Sequence, residues 1–364
     1  MQHALRSAVA LLAAIGASGA HAQGSNVTLY GLLDTGIVHT TNADAAGHSV
    51  TRMPSLTGSL PSRLGFRGSE ELAPGLQAFF TLEAGLTVDG GALGQGGRLF
   101  GRQAALGLKG RFGTFTLGRQ VNMTYIATQK SDVLGPNLFS ISSIDLYLPN
   151  ARSDNAVGYY GTFGNVVVGA TYSTGRDSSF AGGPAATGCP GEVPGNARAC
   201  RQITGLVGYE TPDYGLNTSY DIMYGNTGAS GGLAGSDNSD KRITVNAYLN
   251  VGRGRLGAGV VDRTLRAATG LKESDLYFLG LSYPVAPRMT LDAQVARYDV
   301  KGSDADAWMA VVRLMLALSK RTAVYADVGR MKNAGASAIA LDAGGTVGVG
   351  KTQNGVLVGM RHAF

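Results

Sequence analysis

The sequence predicts an all-β fold, a sixteen-stranded antiparallel transmembrane β-barrel. Segments of about ten residues recur in which apolar and polar side chains alternate, the apolar-out, polar-in pattern of a barrel wall. The breaks between them are alternately short and long, like the turns and loops at the two ends of an outer-membrane barrel. The last segment, 354–364, alternates too and ends on Phe364. A terminal strand leaves an exposed edge unless it pairs with another strand, and a closed barrel supplies that partner.

The period of two assigns a face to each residue of a strand. In 241–251, Ile243 and Val245 share one face, and Arg242 and Thr244 share the other. Sixteen strands allow antiparallel closure of the first strand on the last and leave an aqueous lumen, whereas eight strands would be filled by side chains. They are predicted near 27–38, 58–69, 76–88, 98–109, 114–120, 154–163, 166–175, 201–210, 216–226, 241–251, 255–266, 274–284, 289–300, 307–318, 322–332 and 354–364.

The breaks carry the chemistry of turns and loops. The short breaks are rich in Gly, Pro, Asn and Asp, which are turn residues. They lie at 71–75, 110–113, 164–165, 211–215, 252–254, 286–288 and 319–321. The long breaks lie at 39–57, 89–97, 121–153, 176–200, 227–240, 267–273, 301–306 and 333–353.

The N-terminal residues 1–22 read as a secretory signal peptide that is removed. Arg6 is followed by the apolar run 8–15 and by the small-x-small site 20–22, so the predicted barrel domain is 23–364. The apolar run is too short to span a bilayer as a helix. Removing Arg6 from 31 basic and 25 acidic residues leaves a net charge of +5. The basic residues are scattered, which fits attraction of anions and not a nucleic-acid site.

The two cysteines of the chain, Cys189 and Cys200, lie close together in a long break rich in Gly, Pro and Ala. In an exported protein such a pair predicts a disulfide bond. The alternatives are two free thiols or a metal-binding pair, and the neighbourhood lacks the histidines that a zinc site would need.

Six blocks in order resemble the general porins of Neisseria, Bordetella and Burkholderia-type bacteria: 26–36, 62–71, 75–85, 99–104 with 107–113 and 118–120, 318–325 and 359–364. The resemblance implies a homotrimer of sixteen-stranded barrels in the outer membrane, each with its own pore. It also implies that loop 3, here 121–153, folds inward and narrows the pore. The expected partners are outer-membrane lipid, small hydrophilic solutes and anions, and the barrel-assembly machinery, with Phe364 as the assembly signal. No cofactor and no metal are expected.

Two arginines of the second strand are predicted to point into the lumen. Arg63 and Arg67 share the face opposite Leu64 and Phe66. An arginine on the lipid face near the middle of the bilayer would cost roughly 2–4 kcal/mol. The resemblance places an arginine at Arg63 opposite loop 3.

The resemblance adds Arg102 and Arg152 to the basic side of the constriction, and Arg119 is a further candidate at the mouth of loop 3. Arg102 shares its parity with residues that look lipid-facing. Either a bulge lies near Gly101, or Arg102 is not part of the regular wall. Asp132 and Asp145 of loop 3 are candidates for an opposing acidic side.

The predicted function is passive diffusion of small hydrophilic solutes and ions, with a mild preference for anions because a positive constriction concentrates them. A channel selective for one organic anion, an outer-membrane adhesin or structural barrel, and a secreted β-sandwich are the alternatives. Segments 345–352 and 252–257 match nucleotide-binding patterns, but neither has the strand–helix context that such a site requires. An enzyme is not expected, because His39, His48 and His362 form no acid–base constellation.

Overall fold

The computed structural model describes residues 26–176 and 188–364, which form a closed antiparallel barrel. Sixteen of its eighteen strands make the wall: β1 Asn26–Thr40, β3 Arg63–Ala73, β4 Leu76–Thr87, β6 Gln103–Gly110, β7 Gly113–Val121, β8 Arg152–Phe163, β9 Val166–Ser173, β10 Gln202–Glu210, β11 Tyr214–Tyr224, β12 Ser239–Val251, β13 Gly254–Ala267, β14 Gly270–Ala286, β15 Met289–Val300, β16 Ala307–Ala317, β17 Thr322–Asn333 and β18 Thr352–Ala363. Two short strands, β2 Val50–Arg52 and β5 Ala92–Leu93, lie in the first two long loops.

Among the described residues, helical structure is confined to short pieces. They are a turn, α1 Gly94–Gly97, a helix, α2 Met123–Thr128, and two 3₁₀ turns, Ile141–Ser143 and Leu148–Asn150. In the described parts of the chain, no helix is long and apolar enough to cross a bilayer.

The barrel closes where β1 pairs with β18, in a register that runs from Leu32 opposite Ala363 to Thr40 opposite Gly355. This confirms the predicted sixteen strands and their closure. One predicted loop is wrong: β13 and β14 continue until Ala267 pairs with Gly270, so 267–273 holds a tight turn. The polar side chains of 272–274 make this stretch look like a loop, although their backbone stays in the ladder.

The two faces of the wall differ as predicted. Val207, Leu279 and Val358 are more than half exposed and point outward to lipid. Inward residues such as Asn217 and Asp221 are buried within the lumen. On β18 the outward set is Val356, Val358, Met360, His362 and Phe364, which is the set that the alternation assigns to one face.

The lumen also contains a hydrophobic core, which the polar-inside prediction did not include. Phe139 and Ile141 of loop 3 and Leu341 of the last long loop are fully buried. They pack against inward apolar residues of the wall, and the wall members of this cluster include Val38, Met309, Val311, Tyr325, Met331 and Leu357. Loop 3 and the last loop therefore fill one side of the barrel with packed side chains.

Two other predictions concern the chain outside the wall. Cys189 and Cys200 form a disulfide bond, as predicted. The predicted signal peptide, 1–22, lies outside the described residues.

A glycine at the closing seam gives the first testable prediction. The Gly31 N–H donates to Phe364 O, and the Phe364 N–H donates to Gly31 O, each at 3.0 Å. A Cβ at Gly31 would overlap the Phe364 ring and lie 2.9 Å from Arg63 O. We expect Gly31→Ala to destabilise the barrel by about 1–3 kcal/mol, as overpacking does. The measurement is Tm, read as loss of the compact form on unheated electrophoresis.

The matched control is Gly205→Ala in β10, where an added Cβ would meet no atom of the described chain within 4 Å. Equal Tm values for the two variants would contradict the expected clash between an added Cβ at Gly31 and the Phe364 ring.

Candidate pore constriction

Loop 3, residues 122–151, leaves the wall after β7 and crosses the lumen before it returns to β8. Asn122 caps α2, its side chain accepting from the N–H groups of Thr124 at 3.1 Å and Tyr125 at 3.4 Å. Further along, the Leu138 N–H donates to Gly58 O at 3.0 Å, which joins the loop to the segment before β3. The resemblance implied this inward fold.

Inward glycines allow loop 3 to lie against the far wall. A Cβ at Gly280 of β14 would be 2.5 Å from Cγ2 of Val133. A Cβ at Gly355 of β18 would be 2.7 Å from Cζ of Phe139. Both contacts are closer than real Cβ atoms allow, so a larger residue at either position would push the loop into the open lumen.

A buried polar network ties loop 3 to β10, β11 and β12. Asp221 accepts from Thr124 Oγ1 and Gln202 Nε2, each at 2.9 Å, and from the Tyr147 hydroxyl. Asp145 binds Arg242 through two hydrogen bonds of 2.8 and 3.1 Å. Asp145 is buried, which raises its pKa, but the Arg242 guanidinium outweighs burial and lowers the pKa to about 2. This pair therefore stays ionised and holds the loop at any physiological pH.

Asp132 is held differently. Its carboxylate accepts from Gln294 Nε2 at 2.7 Å, and no ion pair with it occurs among the described residues. Burial raises the pKa of Asp132 to about 6. Arg313 of the neighbouring strand β16 binds Asp292 at 2.8 Å and donates to Leu134 O at 3.2 Å.

The opposite wall is basic. Arg102 Nε donates to Glu83 Oε1 at 2.6 Å, and Arg63 Nε lies 3.7 Å from Glu83 Oε2. The Tyr30 hydroxyl also donates to Glu83, at 3.0 Å. Arg67 stacks over the Tyr30 ring with 5.2 Å between its Cζ and the ring centroid. One carboxylate thus lies among several arginines, and the cluster keeps a positive charge.

Two further arginines lie next to this cluster. Arg152, at the start of β8, is buried, and its Nη1 donates to Asn150 Oδ1 at 3.2 Å. Its buried Nε has no hydrogen-bond partner within the described ranges. Arg119 donates to Gly101 O at 2.7 Å and forms an ion pair with Asp154, which neutralises much of its charge.

Two cavities of the lumen meet at loop 3. A cavity of about 310 Å³ is lined by residues that include Arg52, Arg102 and Asn150. A second one, of about 300 Å³, is lined by residues that include Tyr125 and Arg361. Pro136 and Pro149 of loop 3 line both cavities, so these prolines face the narrow part of the passage.

The structure resolves the orientation of Arg102. The regular wall of β6 begins only at Gln103, so Arg102 is free of the strand alternation and turns inward to Glu83. The second alternative, an arginine outside the regular wall, is therefore the one that the structure shows.

The acidic side of the constriction differs from the prediction. Asp132 and Asp145 were expected to face the arginines across the passage, but both carboxylates bind residues of the wall behind loop 3, and of the two Asp132 still lines the second cavity. The physical reason is that ordering a long loop requires partners for its buried polar groups, and inward polar residues of β12 and β15 supply them.

Glu83 was not among the constriction residues predicted from the sequence, although the alternation of β4 indicates that its side chain points inward. Gln77, Thr81 and Glu83 share one face of β4, opposite Leu82, so the alternation directs Glu83 inward. It could not show that Arg63 of β3 and Arg102, which precedes β6, both meet this carboxylate.

Comparison with known proteins agrees with the geometry. The family model for Gram-negative porins matches residues 8–336. Outer membrane porin protein 32 of Delftia acidovorans is 33% identical over 99% of this chain and 100% of its own length. An outer membrane porin protein of Bordetella pertussis is 30% identical over 98% of both chains. The solved anion-selective porin from Comamonas acidovorans is 28% identical, with a TM-score of 0.73 over 94% of this chain and 100% of its own.

A closed sixteen-stranded barrel with a lipid-facing exterior and a narrowed aqueous lumen is a channel of the outer membrane. The chain belongs to the Gram-negative porin family, and its function is general diffusion of small solutes across that membrane.

The Asp145–Arg242 pair generates a prediction about loop 3. Removing one partner of a buried ion pair leaves the other charge uncompensated, which costs about 3–5 kcal/mol. We expect Arg242→Gln to lower Tm strongly and to expose loop 3 to proteolysis in the folded barrel. Differential scanning calorimetry and limited digestion measure the two effects.

Arg297→Gln is the matched control, because Arg297 pairs with Asp299 at 3.2 Å on the exposed outer face. Such a surface pair contributes about 0–1 kcal/mol. If both variants had the same Tm and digestion pattern, loop 3 would not depend on the buried pair.

A second prediction concerns pH. The raised pKa of Asp132 means that the folded chain binds this proton more tightly than the unfolded chain does. Its contribution to stability therefore increases as pH falls through about 6. We expect Asp132→Asn to raise Tm relative to the natural residue at pH 7, and the gain to shrink at pH 5. A gain of the same size at both pH values would contradict this titration.

Proposed function

We propose that this porin prefers anions, and that Arg63, Arg102 and Arg152 form the basic side of its constriction. The observation that carries the proposal is the asymmetry of charge across the passage. The arginines of β3, β8 and the segment before β6 lie on one side. On the other side, Asp132 and Asp145 are bound to the wall behind loop 3.

The asymmetry acts through the electric field in the narrow lumen. Fixed positive charge between low-dielectric walls raises the local concentration of anions and lowers that of cations. Glu83 offsets part of this field, since it lies between Arg63 and Arg102. The preference that results is therefore moderate. The anion selectivity of the similar Comamonas porin supports the same sign.

The arginines do not all contribute equally in this proposal. Arg102 lines the passage directly, and Arg63 is about one-quarter exposed. Arg152 is buried and acts through its charge at a distance. Arg119 and Arg67 contribute less, because Arg119 is paired with Asp154 and Arg67 is stacked on Tyr30.

We also infer the assembly and maturation of the chain. Residues 1–22 act as the signal peptide, and 23–364 form the mature barrel. The barrel assembles as a homotrimer in contact with outer-membrane lipid, after the assembly machinery recognises Phe364. The broad outward apolar surface of β1, β6 and β7, which includes Leu29, Leu106 and Leu117, supports burial against other copies. The protein acts as a channel and catalyses no reaction.

The test is the reversal potential of the channel in a planar bilayer under a salt gradient. We expect conductance in steps of three, and we expect Arg63→Gln to reduce the anion-to-cation permeability ratio by about two-fold. Glu83→Gln should change the ratio in the opposite direction, because it removes the negative charge of the cluster. Arg266→Gln, a loss of one charge from an exposed residue of the outer face, is the control for net charge.

Three results would separate the parts of the proposal. Cation preference in the natural protein would overturn the anion preference. Equal ratios for Arg63→Gln and Arg266→Gln would remove Arg63 from the constriction. Single conductance steps from a folded protein would overturn the trimer alone.

A further inference from the structure

A short hairpin of the chain, residues 56–62, lies against the inner side of the barrel wall, and we call it the inner hairpin. Its base is closed where the Ser62 N–H donates to Leu56 O at 2.8 Å. The alternation predicts residues 58–62 as part of the second strand, but β3 begins only at Arg63. The residues before Arg63 are therefore free of the strand and turn inward.

One carboxylate of the wall holds the tip of the inner hairpin. Asp34, on the inward face of β1, is fully buried and accepts from the N–H groups of Ser59 at 3.1 Å and Leu60 at 2.8 Å. The Ser59 hydroxyl donates to the same carboxylate at 2.6 Å, and the Tyr325 hydroxyl of β17 donates to it at 2.5 Å. Hydrogen bonds to an ionised acceptor are about twice as strong as neutral ones. The tip therefore has a fixed place on the wall.

Asp34 holds the base of the inner hairpin as well. The Ser62 hydroxyl donates to Asp34 O at 2.9 Å and accepts from the Asp34 N–H, also at 2.9 Å. Ser59 and Ser62 are both fully buried in these contacts. A single residue of β1 thus binds the hairpin at both of its ends.

The contact between the inner hairpin and the wall leaves no spare room. A Cβ at Gly58 would lie 2.0 Å from the Tyr325 hydroxyl oxygen and 2.3 Å from Asp34 Oδ1. The Gly58 carbonyl accepts from the Leu138 N–H of loop 3 at 3.0 Å. The inner hairpin is therefore fixed by the wall and by loop 3 together.

The inner hairpin lines both cavities of the lumen. Thr57 and Pro61 line the cavity of about 310 Å³, and Leu60 at the tip lines the cavity of about 300 Å³. Loop 3 is the other segment of the described chain that lines both, through Pro136 and Pro149. The half-buried side chain of Leu60 thus lies at the level where the passage narrows.

We propose that the inner hairpin is a second constriction element, in which Leu60 limits the size of the solute and Asp34 is the positioning residue. A pore excludes solutes by the radius that its lining side chains leave open. Asp34 is buried and acts on solute passage through the hairpin that it holds. A hairpin that served only to support loop 3 would need the Gly58–Leu138 bond, but it would not need side chains in both cavities.

The first experiment measures single-channel conductance and the swelling of proteoliposomes in uncharged sugars of increasing size. We expect Leu60→Ala to raise conductance about 1.3-fold and to admit larger sugars, because it removes volume where the passage is narrow. The matched control is Leu279→Ala, which removes the same atoms from the outward face of β14, where Leu279 is 54% exposed. The control should leave both measurements unchanged.

The second experiment tests the anchor with a thiol at the tip. Both cysteines of the natural chain are in the disulfide bond, so Leu60→Cys adds one free thiol. Its reaction with uncharged methyl methanethiosulfonate is followed by mass spectrometry. We expect Asp34→Asn to raise the rate about three-fold, since a released tip opens more often to solvent.

Two further variants separate the anchor from a change of charge. Tyr325→Phe removes one donor to Asp34 without altering any charge, and it should raise the labelling rate in the same direction but less strongly. Asp237→Asn, in which the side chain is 95% exposed in a distant loop, is the matched control and should leave the rate unchanged. Should Asp34→Asn not form the compact barrel on unheated electrophoresis, Tyr325→Phe decides the question.

The outcomes bear on the two parts of the proposal separately. Equal conductance and equal sugar exclusion for Leu60→Ala and the natural protein would remove the inner hairpin from the constriction. Labelling rates that stay the same in both Asp34→Asn and Tyr325→Phe would overturn Asp34 as the positioning residue. Uncharged sugars report width alone, so cation preference in the natural protein would overturn the proposed selectivity and leave this inference intact.

Discussion

The structure depends on the requirement that every backbone N–H and C=O group within the bilayer has a partner inside the protein. Hydrocarbon offers no hydrogen bonds, so a sheet can cross it only when its edges pair with each other. Here the pairing of β1 with β18 meets this requirement and encloses a lumen in one step. The lumen then gives loop 3 an interior in which polar partners from the wall are already in place.

Loop 3 divides that interior into two regions of different character. On one side, Phe139, Ile141 and Leu341 pack into a solid core against the wall. On the other side, the space between the prolines of loop 3 and the arginines stays open. The acidic residues of the loop serve as ties to the wall, and the positive charge across the passage is left largely unopposed. The charges that anchor loop 3 are therefore a different set from the arginines that line the passage.

The sequence predicts the wall far better than the contents of the lumen. Alternation over each strand decides which face a residue takes, so the inward position of Arg242 and the outward position of Val358 follow directly. The alternation carries no information about which inward residue contacts a loop. Asp145 and Arg242, for example, are 97 positions apart in the sequence, and no pattern links them. The internal core had a weaker signal in the sequence: apart from Arg313, β16 is apolar on both faces, as expected of a strand covered on its inner side. Predicting the inward orientation of Arg102 requires the exact start of β6, and sequence patterns locate a strand end only within a few residues.

The packed core in the lumen has a consequence for how such a channel can diverge. The width of the passage depends on the volume of buried side chains such as Phe139 and Leu341, and not only on the number of strands. Substitutions among these apolar residues can shift loop 3 and alter the largest solute admitted. Strand number, membrane fit and the charges of the passage would stay the same. Size exclusion and charge preference are thus separable traits, open to independent change during evolution.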